Sequence, residues 1–335
     1  MFVGLVGGLL ALPLDGSVRR IAAFLGAALF AVHPVHVEAV ANVVGQAELT
    51  GAVAVLGACL VHATRAPGMR VSVPRLILIV LLYAVGLCAK EHTIVLPALL
   101  LLIDAAQHRM PLRLHDLARY GRVMVGPCLA MLAAALLFLA ARTAVLGSLM
   151  GSNPNPGLSY LHGDLRFWNA LRAWPEYYRL LLLPMDLSID YAPGVIPVAR
   201  GLEPMTIAGG LLLILTLLCA TRIGRSLYGL AAAWLLVCIL PVSNLLFPVG
   251  VMVAERTLYL PSFSAAIAVA AAAQVLAASG RRAPLGLVAA GVLIVFATRS
   301  VMRVPVWESS ATVQQALVRD HPESYRAHWI LAGAA

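Results

Sequence analysis

Long runs of apolar residues alternate with short polar connections along the whole chain. The runs lie at 1–14, 21–32, 48–63, 76–89, 93–106, 122–141, 204–220, 227–246, 258–279 and 284–300. A helix crosses a bilayer with about 20 apolar residues, and backbone that is broken at membrane depth must face protein or a cavity. The pattern therefore predicts an all-α polytopic membrane protein of about ten spans, whose shorter runs border a site.

The composition excludes an ordinary soluble domain. Of 335 residues, 61% are hydrophobic and 12% are charged, whereas soluble domains have roughly 45–50% apolar and 25% charged residues. The net charge of +9 comes from basic residues scattered between apolar runs, a distribution that indicates membrane topology and no nucleic-acid partner. The five cysteines lie in apolar runs without a CxxC motif, which favours packing roles over disulfides or a zinc site.

Charge divides the connections into two sets. Arginine-rich connections, with Asp15 and Asp116 as their only acids, lie at 15–20, 64–75, 107–121, 221–226 and 280–283. The positive-inside rule makes them cytoplasmic, so the other set faces the lumen, periplasm or exterior. That set comprises 33–47, 90–92, 142–203, 247–257 and the tail 301–335. The alternation places Met1 outside, at an apolar run with no basic residue before it, and we expect a further helix and outer loop to precede residue 1.

Two outer segments have helical patterns of their own. Residues 166–183 carry apolar residues at helical spacing between arginines, which predicts an amphipathic helix at the interface; an aromatic belt anchor is the alternative. These apolar residues are Phe167, Leu171, Trp174, Tyr178 and Leu181. From Trp307 the tail predicts a helix, a turn at His321 and Pro322, and a second helix. One such pair is an incomplete repeat, because a lone repeat does not bury its apolar face.

Three polar clusters interrupt the apolar pattern on the outer side. The first contains His33, His36, Glu38, Asn42, Gln46 and Glu48. Such polar density at a membrane is unfavourable unless the side chains meet solvent, substrate or one another. A continuous helix after Pro34 would place Glu38, Asn42 and Gln46 on one face; a capped loop at the interface is the alternative. His36 and Glu38 are not neighbours on a helix, so a metal pair is not indicated.

The second cluster is CAKEHT at 88–93 and the third is VAERTLYLPS at 253–262. Lys90 is the single lysine among 24 lysine and arginine residues, and with Glu91 it forms an ion pair, faces an anionic ligand, or marks an exposed turn. An arginine beside a carboxylate, as at Glu255 and Arg256, suits either phosphate binding or a salt bridge. Because all three clusters lie outside, a polar cavity that takes a lipid-linked donor fits better than a midplane ion path.

Four segments resemble, in the same order along the chain, the transmembrane and tetratricopeptide-repeat (TMTC) O-mannosyltransferase family of the GT-C glycosyltransferase superfamily. They are HPVHVEAVANVVGQAEL at 33–49, AKE at 89–91, YYRLLLLPMDLSIDY at 177–191 and VAERTLYLPS at 253–262. The resemblance implies a GT-C-like helical bundle over 1–300 and the start of a tetratricopeptide repeat over 301–335. It also implies transfer of mannose from a polyprenyl-phosphate donor to protein hydroxyls on the lumenal or periplasmic side.

The resemblance carries a candidate donor site onto matching positions of this chain. They are His33, His36, Glu38, Glu48, Lys90, Glu91, Glu255 and Arg256. Arg256 and Lys90 are expected to offset the charge of the donor phosphate, and the histidines with Glu38 to shape the sugar or acceptor site. The acidic base that the family uses is expected upstream of residue 1, so no catalytic residue is assigned, and Gln46 stands where family members commonly have arginine.

The expected partners are a polyprenyl- or dolichyl-phosphate-mannose donor, a protein acceptor and proteins bound by the tail, with no cofactor, metal or nucleic acid. The expected compartment is a bacterial cytoplasmic membrane or the endoplasmic-reticulum membrane. A secondary transporter is the first alternative function, and it predicts internal repeats and ionisable residues at the midplane of broken helices. A non-catalytic scaffold that presents the tail to partners is the second alternative.

Overall fold

A computed structural model describes residues 16–65, 70–107, 114–147, 163–191, 195–246, 249–279 and 282–334. These residues form α-helices and 3₁₀ helices, with no β-strand among them, so the prediction of an all-α protein is confirmed. The predicted apolar run 1–14 lies outside the described residues.

The helices follow the apolar pattern of the sequence closely. The α-helices are α1 Gly16–Val32, α2 Val37–Ala41, α3 Gln46–Ala63, α4 Val73–Ala89, α5 Leu96–Gln107, α6 Leu114–Leu146, α7 Gly163–Leu182, α8 Pro204–Ala220, α9 Leu227–Ile239, α10 Phe263–Ala278, α11 Arg282–Arg303, α12 Ser310–Asp320 and α13 Tyr325–Ala334. Short 3₁₀ helices lie at Pro34–His36, Val43–Gly45, Glu91–Val95, Leu240–Val242, Glu255–Leu258 and Val304–Trp307. Every predicted run from 21–32 onward falls largely on an α-helix.

Several of these helices are suited to a bilayer. Among the described residues, three are long and apolar enough to cross one, namely Val43–Ala63, Val123–Leu146 and Gly286–Trp307. A fourth span results if Ser17–Val32 and Pro34–Ala41, which are bent by 46°, are counted as one. Other apolar helices among the described residues have 10–17 residues, for example Val73–Ala89 and Pro204–Ala220. The chain is therefore a membrane protein, and a count of about ten spans stays a prediction.

Glycine and alanine allow close helix packing in the core. A Cβ atom on Gly26 of α1 would lie 2.7 Å from the carbonyl oxygen of Ala266 on α10. At the next interface, Trp234 of α9 packs on Phe263 of α10 with ring centroids 4.7 Å apart, and its indole donates to the Leu260 carbonyl at 3.1 Å. Because lipid is as apolar as the helices, such close contacts and hydrogen bonds hold the bundle together.

The polar residues gather at the two ends of this bundle. The ends of α1 and α4 lie close to the starts of α3 and α10, because Glu38 pairs with Arg256 and Glu48 pairs with Lys90. We call this the site end, and define it by Glu38, Glu48, Lys90, Glu255 and Arg256. The opposite or far end carries a second ionic cluster, formed by His62 and Arg65 at the end of α3 and Asp104 near the end of α5.

Both outer segments that were predicted to be helical, 166–183 and the tail, form helices, and one of them buries a slightly different face. Helix α7 covers the predicted amphipathic segment and buries Leu171, Trp174 and Leu181 as expected. Its face is rotated, however, because Tyr177 is buried while Phe167 is exposed. Helices α12 and α13 confirm the helix–turn–helix in the tail.

Candidate functional site

The segment that joins α1 to α3 is broken rather than continuous. Asn42 adopts extended backbone (φ −84°, ψ 128°), and its side chain accepts a hydrogen bond from the Val44 amide, which ends α2 and starts a 3₁₀ turn. Gly45 then lies against the backbone of Ala39, where a Cβ atom would collide. Of the two alternatives left open by the sequence, a continuous helix with Glu38, Asn42 and Gln46 on a shared face is therefore not found.

His33 and His36 fix the start of this segment. The His33 Nδ1 atom accepts from the Val35 amide at 3.3 Å, which leaves Nε2 as the donor to the Leu181 carbonyl at 3.1 Å. The His36 Nε2 atom lies 2.7 Å from the Ser262 hydroxyl oxygen. Both imidazoles are buried, so they join the segment to α7 and to the start of α10.

Glu38 holds the third cluster in place. Its Oε2 atom accepts from the backbone amide of Arg256 at 2.8 Å, and its Oε1 atom pairs with the Arg256 guanidinium. The Glu38 side chain is 3% exposed and that of Arg256 is 28% exposed. Because the guanidinium has five N–H donors in a rigid fork, one edge is oriented by Glu38 while other donors remain open.

Glu48 makes an equivalent arrangement with the second cluster. Its carboxylate lies 3.0 Å from the Lys90 ammonium and 3.2 Å from the His92 Nε2 atom. The Glu48 side chain is 1% exposed and that of Lys90 is 29% exposed. Burial lowers the pKa of His92 below its ordinary value, so the imidazole is neutral at pH 7 and Lys90 supplies the positive charge.

Glu91 lies apart from this arrangement. Its carboxylate pairs with Arg142 of α6 at 2.5 Å and is about half exposed. Lys90 has extended backbone (φ −155°, ψ 127°) between α4 and the following 3₁₀ helix, so these neighbours in sequence bind different partners. Of the three possibilities left open by the sequence, an ion pair between Lys90 and Glu91 is not found.

Glu255 is the most deeply buried acid of the site end. Its Oε1 atom accepts from the Ser188 amide at 2.6 Å and from the Tyr191 hydroxyl at 2.7 Å, and its Oε2 atom has no hydrogen-bond partner among the described residues. Burial raises the pKa of Glu255 to about 7, and the negative charge of Glu38 adds to the rise, whereas Tyr191 and Arg303 oppose it. Burial therefore favours the protonated form of this carboxyl.

Sequence reasoning missed several partners of these residues. Ser188 and Tyr191 lie inside the segment 177–191 that carried the family resemblance, but nothing in its pattern indicated that they bind Glu255. His92 and Arg303 were likewise not assigned a role. The structure brings Glu38, Glu255 and Arg256 into one cluster and Glu48, Lys90 and His92 into another, both at the site end.

The arrangement is suited to holding an anion. Arg256 and Lys90 are each oriented by a buried carboxylate and retain exposed N–H donors, which bind phosphate and carboxylate oxygens through charge-assisted hydrogen bonds. Within the described residues, no group of three histidine, cysteine, aspartate or glutamate side chains is placed to hold a metal ion. The five cysteines are free thiols, with Cys59 and Cys238 buried and Cys88 exposed.

Comparison with known proteins gives relatives over most of the chain. It is 28% identical to the mouse protein O-mannosyl-transferase TMTC4 over 98% of its own length and 49% of that protein. It is 30% identical to the Drosophila melanogaster protein O-mannosyl-transferase Tmtc3 over 77% of its own length and 32% of that protein. No family model matches the chain, and no solved structure matches it. The chain spans about half or less of the length of these curated relatives, whose names confirm the resemblance to the TMTC family carried by the motifs.

Proposed function

We propose that the chain is the membrane part of a glycosyltransferase that moves mannose from a polyprenyl-phosphate donor to serine or threonine hydroxyls of a protein acceptor. The names of its relatives support this class of reaction. The proposal includes a GT-C-like bundle of about ten spans over 1–300, the start of a tetratricopeptide repeat over 301–335, and a site end on the lumenal or periplasmic side.

The observation that carries the proposal is that the buried carboxylates of Glu38 and Glu48 each hold a cation that is partly exposed. Arg256 and Lys90 are about as exposed as each other, at 28% and 29%, while their carboxylate partners are buried. A lipid-linked sugar phosphate combines an apolar chain, which suits the lipid-facing helices, with an anionic head, which suits these donors. As the sugar leaves, charge grows on the phosphate, and preoriented donors stabilise that charge without a metal.

Other residues of the site end support this geometry indirectly. His33 and His36 are occupied by hydrogen bonds to Leu181 and Ser262, so we assign them to holding the 33–41 segment rather than to contacting the sugar. Glu38 and Glu48 orient the two cations. No described residue is assigned the role of general base.

The position of the ionisable residues favours a transferase over the transporter alternative. A transporter is expected to place its ion-binding residues near the midplane, at interruptions within helices. Here Glu48 lies in the first turn of α3, Lys90 directly follows α4, and Glu255 and Arg256 precede α10. All four residues therefore lie at helix ends, where the headgroup of a membrane lipid is expected to bind.

Binding of the donor tests the phosphate role directly. The chain is reconstituted in proteoliposomes with radiolabelled mannosyl-phosphoryl-polyprenol, and the dissociation constant is measured for the native chain and for Arg256→Gln. Loss of one charge-assisted contact is worth about 1.5–3 kcal/mol, so we expect binding to weaken roughly 10-fold to 100-fold. Arg172→Gln is the matched control, because Arg172 pairs with Glu203 at 3.0 Å away from the site end and its loss should leave binding unchanged.

Equal binding by the native chain and Arg256→Gln would remove the phosphate role of this residue. The same proteoliposomes are then given a serine- and threonine-rich acceptor peptide, and transfer of label to the peptide tests the reaction. Competition separates donor classes: unlabelled polyprenyl phosphate should displace the donor, and displacement by a nucleotide-linked mannose instead would contradict a lipid-linked donor.

A further inference from the structure

The turn between α12 and α13 contacts two segments of the chain that act on the buried Glu255. We call residues 320–326 the docking turn. Within it, Asp320, Ser324 and Arg326 reach back to the membrane bundle. Their targets are Asp190, next to the Tyr191 that binds Glu255, and Arg303, whose charge acts on Glu255.

The first contact fixes the loop that carries Tyr191. The Ser324 hydroxyl donates to Asp190 Oδ2 at 2.9 Å, and the Arg326 guanidinium lies 3.1 Å from Asp190 Oδ1. Ser324 and Asp190 are both buried. Within the loop, the Ser188 hydroxyl donates to the Asp190 carbonyl at 2.5 Å, so the two residues that donate to Glu255 are joined to the residue that the docking turn holds.

The second contact fixes Arg303 at the end of α11. Its guanidinium lies 3.5 Å from Asp320 Oδ2 and is 3% exposed. A buried arginine without a carboxylate is strongly unfavourable, so Asp320 holds the Arg303 guanidinium in place. The docking turn and the end of α11 are therefore linked through a charge that acts on Glu255.

We propose that the docking turn is a positioning element of the site, which holds the 188–191 loop at Glu255 and fixes the Arg303 guanidinium, whose charge acts on Glu255. The inference rests on the proposed function, which makes Glu255 part of the donor site. Release of the turn frees the 188–191 loop, so Tyr191 no longer holds Glu255.

The backbone amide of Ser188 is a direct reporter of this contact, because it donates to Glu255 Oε1. Hydrogen–deuterium exchange of the full chain in detergent micelles is compared among the native protein, Ser324→Ala and Asp320→Asn. We expect exchange over 188–191 to rise at least about tenfold in both variants, as it does when a buried polar contact is lost. Glu323→Gln is the matched control, since this carboxylate belongs to the same turn but is largely exposed.

Ser324→Thr keeps the hydroxyl and should restore slow exchange, which separates positioning from general damage to the tail. Unchanged exchange over 188–191 in Ser324→Ala and Asp320→Asn would overturn the proposal. This readout needs no activity, so a native chain that transfers no mannose would refute the proposed function and leave the positioning role standing.

A second readout follows the pH dependence of the free energy of unfolding. Tyr191 lowers the pKa of Glu255, so release of the 188–191 loop should raise that pKa and move the loss of stability with rising pH to higher pH. Ser324→Ala should show the move, and Glu323→Gln should not. A loss of stability with an unmoved pH dependence would contradict positioning of Glu255.

Discussion

The two ends of the bundle use the same kind of ion pair for different purposes. At the far end, His62, Arg65 and Asp104 form a closed cluster in which each side chain is between 1% and 3% exposed. At the site end, Glu38 and Glu48 are as deeply buried, but their partners Arg256 and Lys90 are more than a quarter exposed. The two ends therefore differ in the exposure of the cation and not in the burial of the carboxylate.

This difference distinguishes an ion-pair cluster that joins two helices from a cluster that is able to bind a ligand. The closed cluster joins α3 to α5, because the His62 Nε2 atom lies 3.0 Å from Asp104 Oδ1 and Arg65 binds the same oxygen. An incoming anion has no access to that guanidinium. At the site end the carboxylate is buried and the cation is partly exposed, so a ligand can bind the cation without breaking the ion pair. The accessibility of the cation, more than the presence of an ion pair, marks the candidate site.

Opening the closed cluster should have the largest effect. Asp104→Asn leaves Arg65 as a buried charge without its carboxylate, and removing one partner of a buried pair lowers the free energy of unfolding by about 3–5 kcal/mol. Thermal or denaturant unfolding in detergent micelles measures the loss. Glu203→Gln, in the more exposed pair with Arg172, should lose less than about 1 kcal/mol. Equal losses in the two variants would show that burial does not distinguish these pairs.

Neutralising Glu255 should change how stability depends on pH. Its folded pKa of about 7 lies above the ordinary value of 4.5, so stability from the protonated carboxyl is fully present below pH 4.5 and is lost as the pH rises through 7. Glu255→Gln should remove this loss, which is on the order of 3 kcal/mol for the native chain. Unfolding temperatures at pH 4.5, 6 and 7.5 measure it. The exposed Glu308→Gln is the control, and a persistent slope in Glu255→Gln would assign the titration to another group.

A charge-conserving change tests the difference between the open and closed arginines. Arg256→Lys keeps the charge but replaces a rigid five-donor fork with a point charge, so donor binding should weaken about tenfold, or about 1.4 kcal/mol. Arg65→Lys should leave donor binding unchanged and lower the unfolding temperature instead. Dissociation constants from the proteoliposome assay and unfolding curves are compared for both. A binding defect in Arg65→Lys would contradict the separation of the two ends.

The smallest effect is expected at Glu91. Its pair with Arg142 is about half exposed, and exposed ion pairs contribute about 0–1 kcal/mol. Glu91→Gln should therefore change stability by less than about 1 kcal/mol and donor binding by less than about twofold, or roughly 0.4 kcal/mol. A strong binding defect would return Glu91 to the donor site beside Lys90, against the contacts described above.

The helices could be predicted from the sequence because apolar runs and breakers are local signals. Run 76–89, for example, lies within α4, Val73–Ala89, and a polar residue follows it directly. The polar clusters were also recognisable, since Glu48 or Lys90 in an apolar context is costly without a partner. Helical periodicity allowed one continuous helix through Asn42. The helix ends there instead, because the Asn42 side chain accepts a hydrogen bond from the Val44 amide.

The pairing within the site could not be predicted, because pairing is set by tertiary structure. Glu38 and Arg256 are 218 positions apart, and nothing near either residue indicates the other. The neighbouring Lys90 and Glu91 suggested a local pair, yet an extended backbone directs them to different helices. Variation of Glu38 together with Arg256 among related sequences is the signal that would reveal such a pair.

The separation of partners along the chain also fixes the order in which the site is completed. Lys90 follows Glu48 by 42 positions, whereas Arg256 follows Glu38 by 218 positions. Chains are made from the N-terminus, and membrane helices insert before they assemble. The pair of Glu48 and Lys90 can therefore form as soon as α3 and α4 are both inserted, whereas the Glu38 carboxylate remains without its arginine until the segment before α10 has been made.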